Sequence, residues 1–550
     1  MHEMMKTQSD SSVSTVLDQE RTEGARLAPD VKEPGAAAAD GQRIAAEGLD
    51  PLDPKSWGDL RAQAHRMLDD MLDYTEGIAR QPVWQRIPQE VRERFQRELP
   101  VQATPLDEVH EEFLRFILPY TARNGHPGFM GWVQGGGTSV GALAEMLSAW
   151  LNANLGGRDQ IPVEVERQIT EWMRTLFGFP EGGSGLLVTG SSLANFIAVK
   201  VARDVRLGFE GRRKGVGEMV RAGRLVAYAS TEVHGCVARA MDMAGLGSYA
   251  LRLIAADLRH RMDLEALGAQ VARDRREGLT PFLVVGTAGA VDTGAIDDLD
   301  GIAALCARER IWFHVDGAFG ALAMLCPELA GRLKGIERAD SLAFDFHKWA
   351  QVPFDAGFIL MRDGGLQQAA FASSNAYLAR EERGIAGGSP WPCDLGPDLS
   401  RSFRALKVWM TLKVYGTQAL GEVVSHTCRL ARYLESRVAG MPELEMMAPV
   451  ELNIACFRYR GTLTMEEPDA ERGEDDGWLD RLNREIVIAV QEAGAVAPST
   501  TRIRGRVVIR AAMVNHRTTR AEIDTLLESV LKEGGRWMPV SQAASSAARV

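Results

Sequence analysis

Residues 184–205, SGLLVTGSSLANFIAVKVARDV, begin with a short apolar run and continue as a longer amphipathic segment. An apolar run followed by a longer amphipathic segment occurs three more times, in residues 224–245, 281–309 and 311–347. Strands that alternate with helices at this spacing predict an α/β fold with a mainly parallel sheet covered by helices. Ligands of such sheets bind beyond the carboxyl ends of the strands, so the residues that follow each strand are the first candidates for a site.

The composition indicates a globular protein that acts on small molecules. The chain has 550 residues, of which 45% are hydrophobic and 25% charged, and a formal net charge of -11. Interspersed acidic and basic residues favour neither a nucleic-acid partner nor a membrane surface. Without a signal peptide or an apolar run of about 20 residues, the sequence predicts a cytoplasmic location. The six cysteines form no CxxC pair, which indicates reduced, structural thiols.

Both ends of the chain have the composition of disordered tails. Residues 1–48 are rich in Ser, Glu, Asp, Ala and Gly and nearly free of aromatic side chains, and residues 539–550 resemble them. Such segments bury too little apolar surface to offset the entropy lost on ordering. We therefore expect the folded part of the chain to lie between these two tails.

Ser191 and Ser192 open a predicted helix directly after a strand and Gly190. Backbone N–H groups at a helix N-terminus, together with hydroxyls, can bind a phosphate. A serine there can also simply cap the helix. A third interpretation is a nucleophile elbow, in which Ser192 would act with Asp316 and His347 as a serine hydrolase.

Two histidines also lie at or near strand ends. His234 follows a predicted strand, where it could cap the next helix or lay its ring over a flat cofactor. His314 and Asp316 form an H-x-D pair like that of non-haem iron enzymes. Those enzymes usually have all-β folds, which the strand-helix alternation does not favour, so we predict no metal.

Asp316 and Lys348 are 32 residues apart, and each follows an apolar run. Charged side chains are rarely buried without a partner or a function. A lysine amine can form a Schiff base with the aldehyde of pyridoxal 5'-phosphate (PLP), and a carboxylate can keep the pyridine nitrogen protonated. With a phosphate site at Ser191, one cofactor accounts for all three features.

The segments FHVDGAFG, residues 313–320, and ADSLAFDFHKW, residues 339–349, resemble the group II PLP-dependent amino-acid decarboxylases. The resemblance extends over about residues 51–537. It implies a PLP-dependent transferase fold of type I, with a mainly parallel central sheet, flanking helices and a smaller C-terminal α+β domain. The implied boundaries are 49–127 for an N-terminal helical dimerisation segment, 128–420 for the large PLP-binding domain and 421–538 for the small domain.

The resemblance also implies roles for individual residues. Lys348 corresponds to the Schiff-base lysine, Asp316 to the partner of the pyridine nitrogen and His234 to the histidine that stacks on the ring. Further cofactor contacts are implied for Ala318, Ser191, Ser192, Thr287 and His347.

Substrate contacts are implied for His126, Phe129 and Trp132, in the segment NGHPGFMGW. Tyr377 corresponds to a tyrosine that helps to protonate the substrate carbon after carbon dioxide leaves. A phenylalanine there is associated with aldehyde-forming members, so Tyr377 favours decarboxylation. Arg401 corresponds to a characteristic arginine near the end of the large domain, although it could equally be a surface ion-pair partner.

The resemblance therefore implies a homodimeric enzyme that converts an L-amino acid, with an aromatic one favoured, to the amine and carbon dioxide. Other PLP reactions remain alternatives, namely those of an aldehyde synthase, an aminotransferase or an aldol lyase. A serine hydrolase that uses Ser192 and a non-catalytic PLP-binding protein are alternatives from other classes.

Overall fold

The computed structural model describes residues 52–217, 224–373, 379–461 and 473–537. The predicted tails, 1–48 and 539–550, and Tyr377 lie outside the described residues. The described chain divides into two compact units, with the boundary between Asp69 and Asp70. Both sheets belong to the second unit.

Fifteen α-helices are numbered here in chain order within the described residues. They are α1 Trp57–Glu76, α2 Gln89–Arg94, α3 Leu106–Glu112, α4 Ser139–Leu151, α5 Ile161–Leu176, α6 Ser191–Leu207, α7 Gly211–Lys214, α8 Cys236–Met243, α9 Leu264–Arg276, α10 Leu299–Glu309, α11 Pro327–Ala330, α12 Gly364–Phe371, α13 Arg404–Val438, α14 Gly473–Ala493 and α15 Arg520–Trp537.

A seven-stranded sheet forms the centre of the second unit. Its strands are β1 Ser184–Val188, β2 Leu225–Ser230, β3 Leu251–Ile254, β4 Thr280–Thr287, β5 Trp312–Asp316, β6 Ser341–Asp345 and β7 Gly357–Met361. Their order is β1-β7-β6-β5-β4-β2-β3. The pairs from β6 to β3 are parallel, whereas β7 runs antiparallel to both of its neighbours. The predicted α/β fold with a mainly parallel sheet is confirmed.

The strands of this sheet are apolar because helices cover them. Strands β2, β6 and β7 are buried along their whole length, as expected for a sheet that is enclosed on both faces. Asp263 and Asp298 cap α9 and α10 by accepting hydrogen bonds from backbone N–H groups of the first turn. These caps fix where each crossover helix begins.

A second, smaller sheet lies nearer the C-terminus. Its strands are β8 Leu444–Met446, β9 Ile454–Tyr459, β10 Ser499–Ile503 and β11 Arg506–Ala512. They are antiparallel, in the order β10-β11-β9-β8. Helices α14 and α15 pack on this sheet through a separate apolar core that includes Phe457, Ile486 and Leu526.

Candidate active site

The carboxyl ends of β4, β5 and β6 open into a cavity of about 200 Å³. Thr287 ends β4 and Asp316 ends β5, and the two residues are direct partners in the parallel ladder. Lys348 follows the end of β6 by three residues. The cavity is lined by Trp132, Val133, Gln134, Ser191, His234, Thr287, Gly289, Val291, Asp316, Ala318, Phe319 and Lys348.

Lys348 lies in a tight turn after β6. Its Nζ is 2.8 Å from Asp345 Oδ2, and its side chain is 20% exposed. The loop at Gly135 passes so close that a Cβ at this position would lie 2.3 Å from the Lys348 carbonyl oxygen. Only glycine fits there, and the Gly135 N–H donates to the carbonyl of His347. The amine therefore enters the cavity from a rigid turn.

The Asp316 side chain is buried at the end of β5. Its Oδ1 accepts a hydrogen bond from the Ala318 N–H at 3.1 Å, and Cys236 Sγ lies 3.8 Å from its Oδ2. Burial raises the pKa of Asp316, and the charge of Lys348 is the main opposing effect. A cation placed beside this carboxylate would favour its ionised form.

His234 stands at the mouth of the cavity, before α8. Its Nδ1 accepts a hydrogen bond from the Cys236 N–H at 3.2 Å, so the neutral ring carries its proton on Nε2. Ala318 also lines the cavity, and its carbonyl accepts from the Asp345 N–H. His234, implied to stack on one face of the cofactor ring, and Ala318, implied to pack on the opposite face, therefore line the same cavity.

Ser191 begins α6, and Asp345 caps this helix. The Ser191 N–H and Oγ–H donate to Asp345 Oδ1 at 2.6 Å and Oδ2 at 2.8 Å. The helix has no serine side-chain cap, so the simple capping interpretation is wrong for Ser191. A Cβ at Gly357 would lie 2.4 Å from the Gly190 Cα. Glycine at the start of β7 therefore lets this strand approach Gly190, the residue that precedes α6.

His347 and Ser192 border the same region but do not line the cavity. His347 Nδ1 accepts from the Ala356 N–H at 3.0 Å, and burial lowers the pKa of its ring. Ser192 is exposed. Among the described residues, no hydrogen bond joins Ser192 to His347 or Asp316, so the structure does not assemble the triad of a serine hydrolase.

His126 and Phe129 lie outside the cavity lining, whereas Trp132 is part of it. His126 is buried, and its Nδ1 accepts from the Gly128 N–H at 2.9 Å. The Phe129 ring packs with Val83 in a small apolar cluster. Their implied substrate contacts remain predictions.

Several residues of the site cannot be recognised from the sequence. Val133, Gly289, Val291 and Phe319 line the cavity without a chemical group that would single them out. Cys236 and Asp345 reach the site through contacts with residues far away along the chain.

The described residues contain no group of three or more His, Cys, Asp or Glu side chains placed to hold a metal ion. His314 instead bonds through its ring nitrogens to Asn195 and Ser341. No helix among the described residues is long and apolar enough to cross a membrane.

The residues that line the cavity fit PLP. Thr287 Oγ1 is buried and has no hydrogen-bond partner in the part of the chain that the structure describes, although it borders the cavity. A buried hydroxyl without a partner is unfavourable unless a ligand completes it. Together with the amine of Lys348 and the carboxylate of Asp316, it gives the site the polar groups that a PLP enzyme needs.

Comparisons with known proteins identify the class further. Residues 88–460 match the model of the pyridoxal-dependent decarboxylase conserved domain. An aromatic-L-amino-acid decarboxylase of Bacillus atrophaeus is 30% identical over 473 residues, which cover 84% of this chain and 93% of that protein. The chain therefore belongs to the pyridoxal-dependent decarboxylase family, and PLP is its cofactor.

Other relatives differ in their reactions. A phenylacetaldehyde synthase of Arabidopsis thaliana is 28% identical over 84% of this chain and 93% of that protein. Among solved structures, the Oryza sativa TDC with PLP and tryptamine has a TM-score of 0.79 and 23% identity, and the alignment covers 89% of this chain and all of that one. At this identity the likeness concerns the fold alone, and it confirms the predicted fold class.

Proposed function

We propose that the protein decarboxylates an L-amino acid with PLP, and that the substrate is aromatic. The observation that carries the proposal is that the Lys348 amine and the Asp316 carboxylate line one cavity. PLP, when bound, supplies a ring that accepts the electron pair left behind as carbon dioxide departs.

The residues of the chain would divide the remaining work. Lys348 would hold the cofactor through Nζ, and Asp316 would keep a proton on the pyridine nitrogen. His234 and Ala318 would confine the ring from its two faces. Thr287 would donate its free hydroxyl proton to the cofactor.

The resemblance implies which residues would contact the phosphate and which would contact the substrate. Ser191, Ser192 and His347 would face the phosphate, while His126, Phe129 and Trp132 would form the substrate side. Tyr377 or the Nε2–H of His234 would return a proton to the substrate carbon.

The apolar part of the cavity supports an aromatic substrate. Trp132, Val133, Val291 and Phe319 supply apolar surface, and Gln134 adds one polar group. Pockets with this mixture orient a flat apolar side chain through few polar contacts. Relatives that include a tyrosine decarboxylase of Narcissus pseudonarcissus, 28% identical over 85% of this chain, support the same class.

A spectrum of the purified protein tests the cofactor assignment. We expect visible absorbance that is lost on borohydride reduction, and a pyridoxyl mass on the peptide that contains Lys348. A protein that stays colourless after PLP is added would contradict the proposal. Reaction of Ser192 with a fluorophosphonate probe would then support the hydrolase alternative.

Product analysis separates decarboxylation from the aldehyde synthase alternative. The enzyme should release one amine and one carbon dioxide per L-tryptophan, L-tyrosine or L-phenylalanine consumed. Formation of aldehyde and hydrogen peroxide in place of the amine would assign the other reaction. Activity on L-glutamate with none on the aromatic amino acids would contradict the substrate class.

We further propose that the protein is a homodimer. Helix α4 packs against α13, yet on its other side it exposes Leu143, Met146, Leu147, Trp150 and Leu151 by 37% to 68%. A contiguous apolar face of this kind indicates a protein interface. We expect a dimer in light scattering, and a shift toward monomer in Trp150→Glu. A monomeric wild-type protein would contradict this proposal.

A further inference from the structure

A line of buried polar side chains outside the cavity lining leads to Asp316. Cys236, Asn195, His314 and Ser341 are each at most 6% exposed. Cys236 Sγ is 3.8 Å from Asp316 Oδ2, and Asn195 Nδ2 is 3.5 Å from that sulfur. Buried polar groups of this number are costly unless they bond to one another.

The orientation of the Asn195 amide is fixed by its partners. Asn195 Nδ2 is 2.8 Å from the carbonyl oxygen of Ser191, which can only accept. The amide nitrogen must therefore face this carbonyl, and its second proton points at Cys236 Sγ. The sulfur accepts this proton, so its own S–H is free to donate to Asp316.

The protons of His314 follow from the same logic. Its Nε2 is 2.7 Å from Asn195 Oδ1, which can only accept, so Nε2 carries a proton. Burial lowers the pKa of His314 to about 3, which leaves the ring neutral and makes Nδ1 an acceptor. Ser341 Oγ lies 2.9 Å from Nδ1, to which it donates, and it accepts from Trp312 Nε1–H at 2.9 Å. The Ser341 carbonyl oxygen lies 3.2 Å from the same Nδ1 and receives no proton from it in this tautomer.

We propose that Cys236, Asn195 and His314 are positioning residues for Asp316. They form a hydrogen-bond chain in which each side chain donates one proton to the next, and the last donor, the Cys236 thiol, faces the Asp316 carboxylate. Aligned donors stabilise negative charge and strengthen one another. The hydrogen-bond chain therefore holds Asp316 ionised and oriented, and the ionised carboxylate would keep the pyridine nitrogen of PLP protonated. This inference rests on the proposed function.

Other charged and titratable groups also face Asp316, and they bear on its ionisation. Lys348 and His234 favour the carboxylate, and Asp345 opposes it. Burial raises the pKa of Cys236 well above its ordinary value, so the thiol stays protonated and can donate. Cys236 also fixes the neighbouring His234 ring through its backbone N–H.

The test uses the holoenzyme with PLP labelled with ¹⁵N at the pyridine nitrogen. In Cys236→Ala we expect the ¹⁵N resonance to move toward the unprotonated position and the PLP dissociation constant to rise about fivefold, since a weak donor to a charged acceptor is lost. Cys236→Ser keeps a donor and should retain the wild-type resonance. Cys306→Ala, which removes a buried thiol in α10, is the matched control for packing.

A double-mutant cycle tests whether His314 acts on Asp316 through Cys236. His314→Phe should shift the resonance in the wild-type background but add little in Cys236→Ala, because both changes interrupt one path. Fully additive shifts, or a Cys236→Ala resonance equal to that of Cys306→Ala, would overturn the proposal.

An infrared measurement on the apoprotein does not depend on the cofactor. The S–H stretch of Cys236 should lie at lower frequency than that of a free thiol and should rise in Asp316→Asn. An S–H stretch that is the same in both would overturn the inference. A protein that shows the expected S–H stretch but takes up no PLP would contradict the proposed function and the catalytic role of the hydrogen-bond chain. The hydrogen bond from Cys236 to Asp316 would still be supported.

Discussion

Asp316 carries the charge on which the proposed reaction depends. Asp316→Asn keeps the shape of the side chain but removes its negative charge. We expect turnover to fall about 100-fold or more, as for other preorganised electrostatic groups. Carbon dioxide release measures the loss, and absorbance of bound PLP checks that the site is loaded. Asp300→Asn, at a half-buried aspartate of α10 that pairs with Lys334 and Arg338 and lies outside the cavity lining, is the control. Near-wild-type turnover in Asp316→Asn would contradict the assignment.

Removing the Thr287 hydroxyl should affect the stability of the apoprotein and its binding of PLP in opposite directions. Its buried Oγ1 has no partner among the described residues, so Thr287→Val should leave the free energy of unfolding of the apoprotein unchanged or raise it by about 1 kcal/mol. The same change should weaken PLP binding, measured by titration of the apoprotein. Thr293 is also buried, but its Oγ1 accepts from the Ala295 N–H.

Thr293→Val is therefore the matched control, and it should lower stability while leaving PLP binding unchanged. If Thr287→Val destabilised the apoprotein as much as Thr293→Val does, the hydroxyl of Thr287 would have a structural partner and the fit to PLP would lose its support.

At the scale of the elements, a buried ion pair fixes β1, the strand that precedes Gly190 and Ser191. Glu166 of α5 pairs with Arg401, and its Oε1 accepts from the Leu187 N–H of β1 at 2.9 Å. Arg401 also donates to the carbonyls of Leu155 at 3.0 Å and Leu187 at 2.7 Å. Arg401 is buried, so the surface interpretation of this residue is wrong.

Removing one member of this pair leaves the other charge buried. Glu166→Ala should lower the free energy of unfolding by about 3–5 kcal/mol. Glu164→Ala, an exposed glutamate on the same helix, should change it by less than about 0.5 kcal/mol. Denaturant unfolding of the two variants measures the difference, and equal effects would mean that the pair does not hold β1 in place.

The elements also show how far the sequence could predict the site. Strand-helix alternation predicted the parallel sheet, and the adjacency of β5 and β6 brings Asp316 and Lys348 to one edge. The insertion of β7 between β1 and β6 was not predictable, because no local pattern encodes which strands pair. In this position β7 brings Gly357 against Gly190, directly before α6.

The roles of Asp345 and Cys236 in the site were not predictable, because both depend on contacts with residues that are distant in sequence. Asp345 reaches Ser191 across 154 residues, and Cys236 reaches Asp316 across 80. A carboxylate at the end of a strand and a cysteine at the start of a helix each look ordinary in the sequence. Only the folded sheet and α8 bring these groups together.

Acid should destabilise the whole molecule through its buried histidines. Burial lowers the pKa of His314 to about 3 and that of His516 to about 4, below the ordinary value of 6.5. The unfolded chain therefore binds protons that the folded chain excludes, so stability is complete above pH 6.5 and falls as the pH drops below it. Burial raises the pKa of Asp297 to about 6, which opposes this trend between pH 6 and 4.

Comparison of variants isolates the histidine contribution. His314→Gln cannot be protonated, so between pH 7 and pH 5 it should lose about 2 kcal/mol less stability than the wild-type protein. Urea unfolding at both pH values measures this, and His65→Gln, which removes an exposed histidine, should behave like wild type. If His314→Gln lost as much stability as wild type, the pKa of His314 would be the same in the folded protein as in the unfolded chain, and the folded ring would be protonated at pH 5. Its Nδ1 could then no longer accept from Ser341, and the hydrogen-bond chain toward Asp316 would lose its fixed direction.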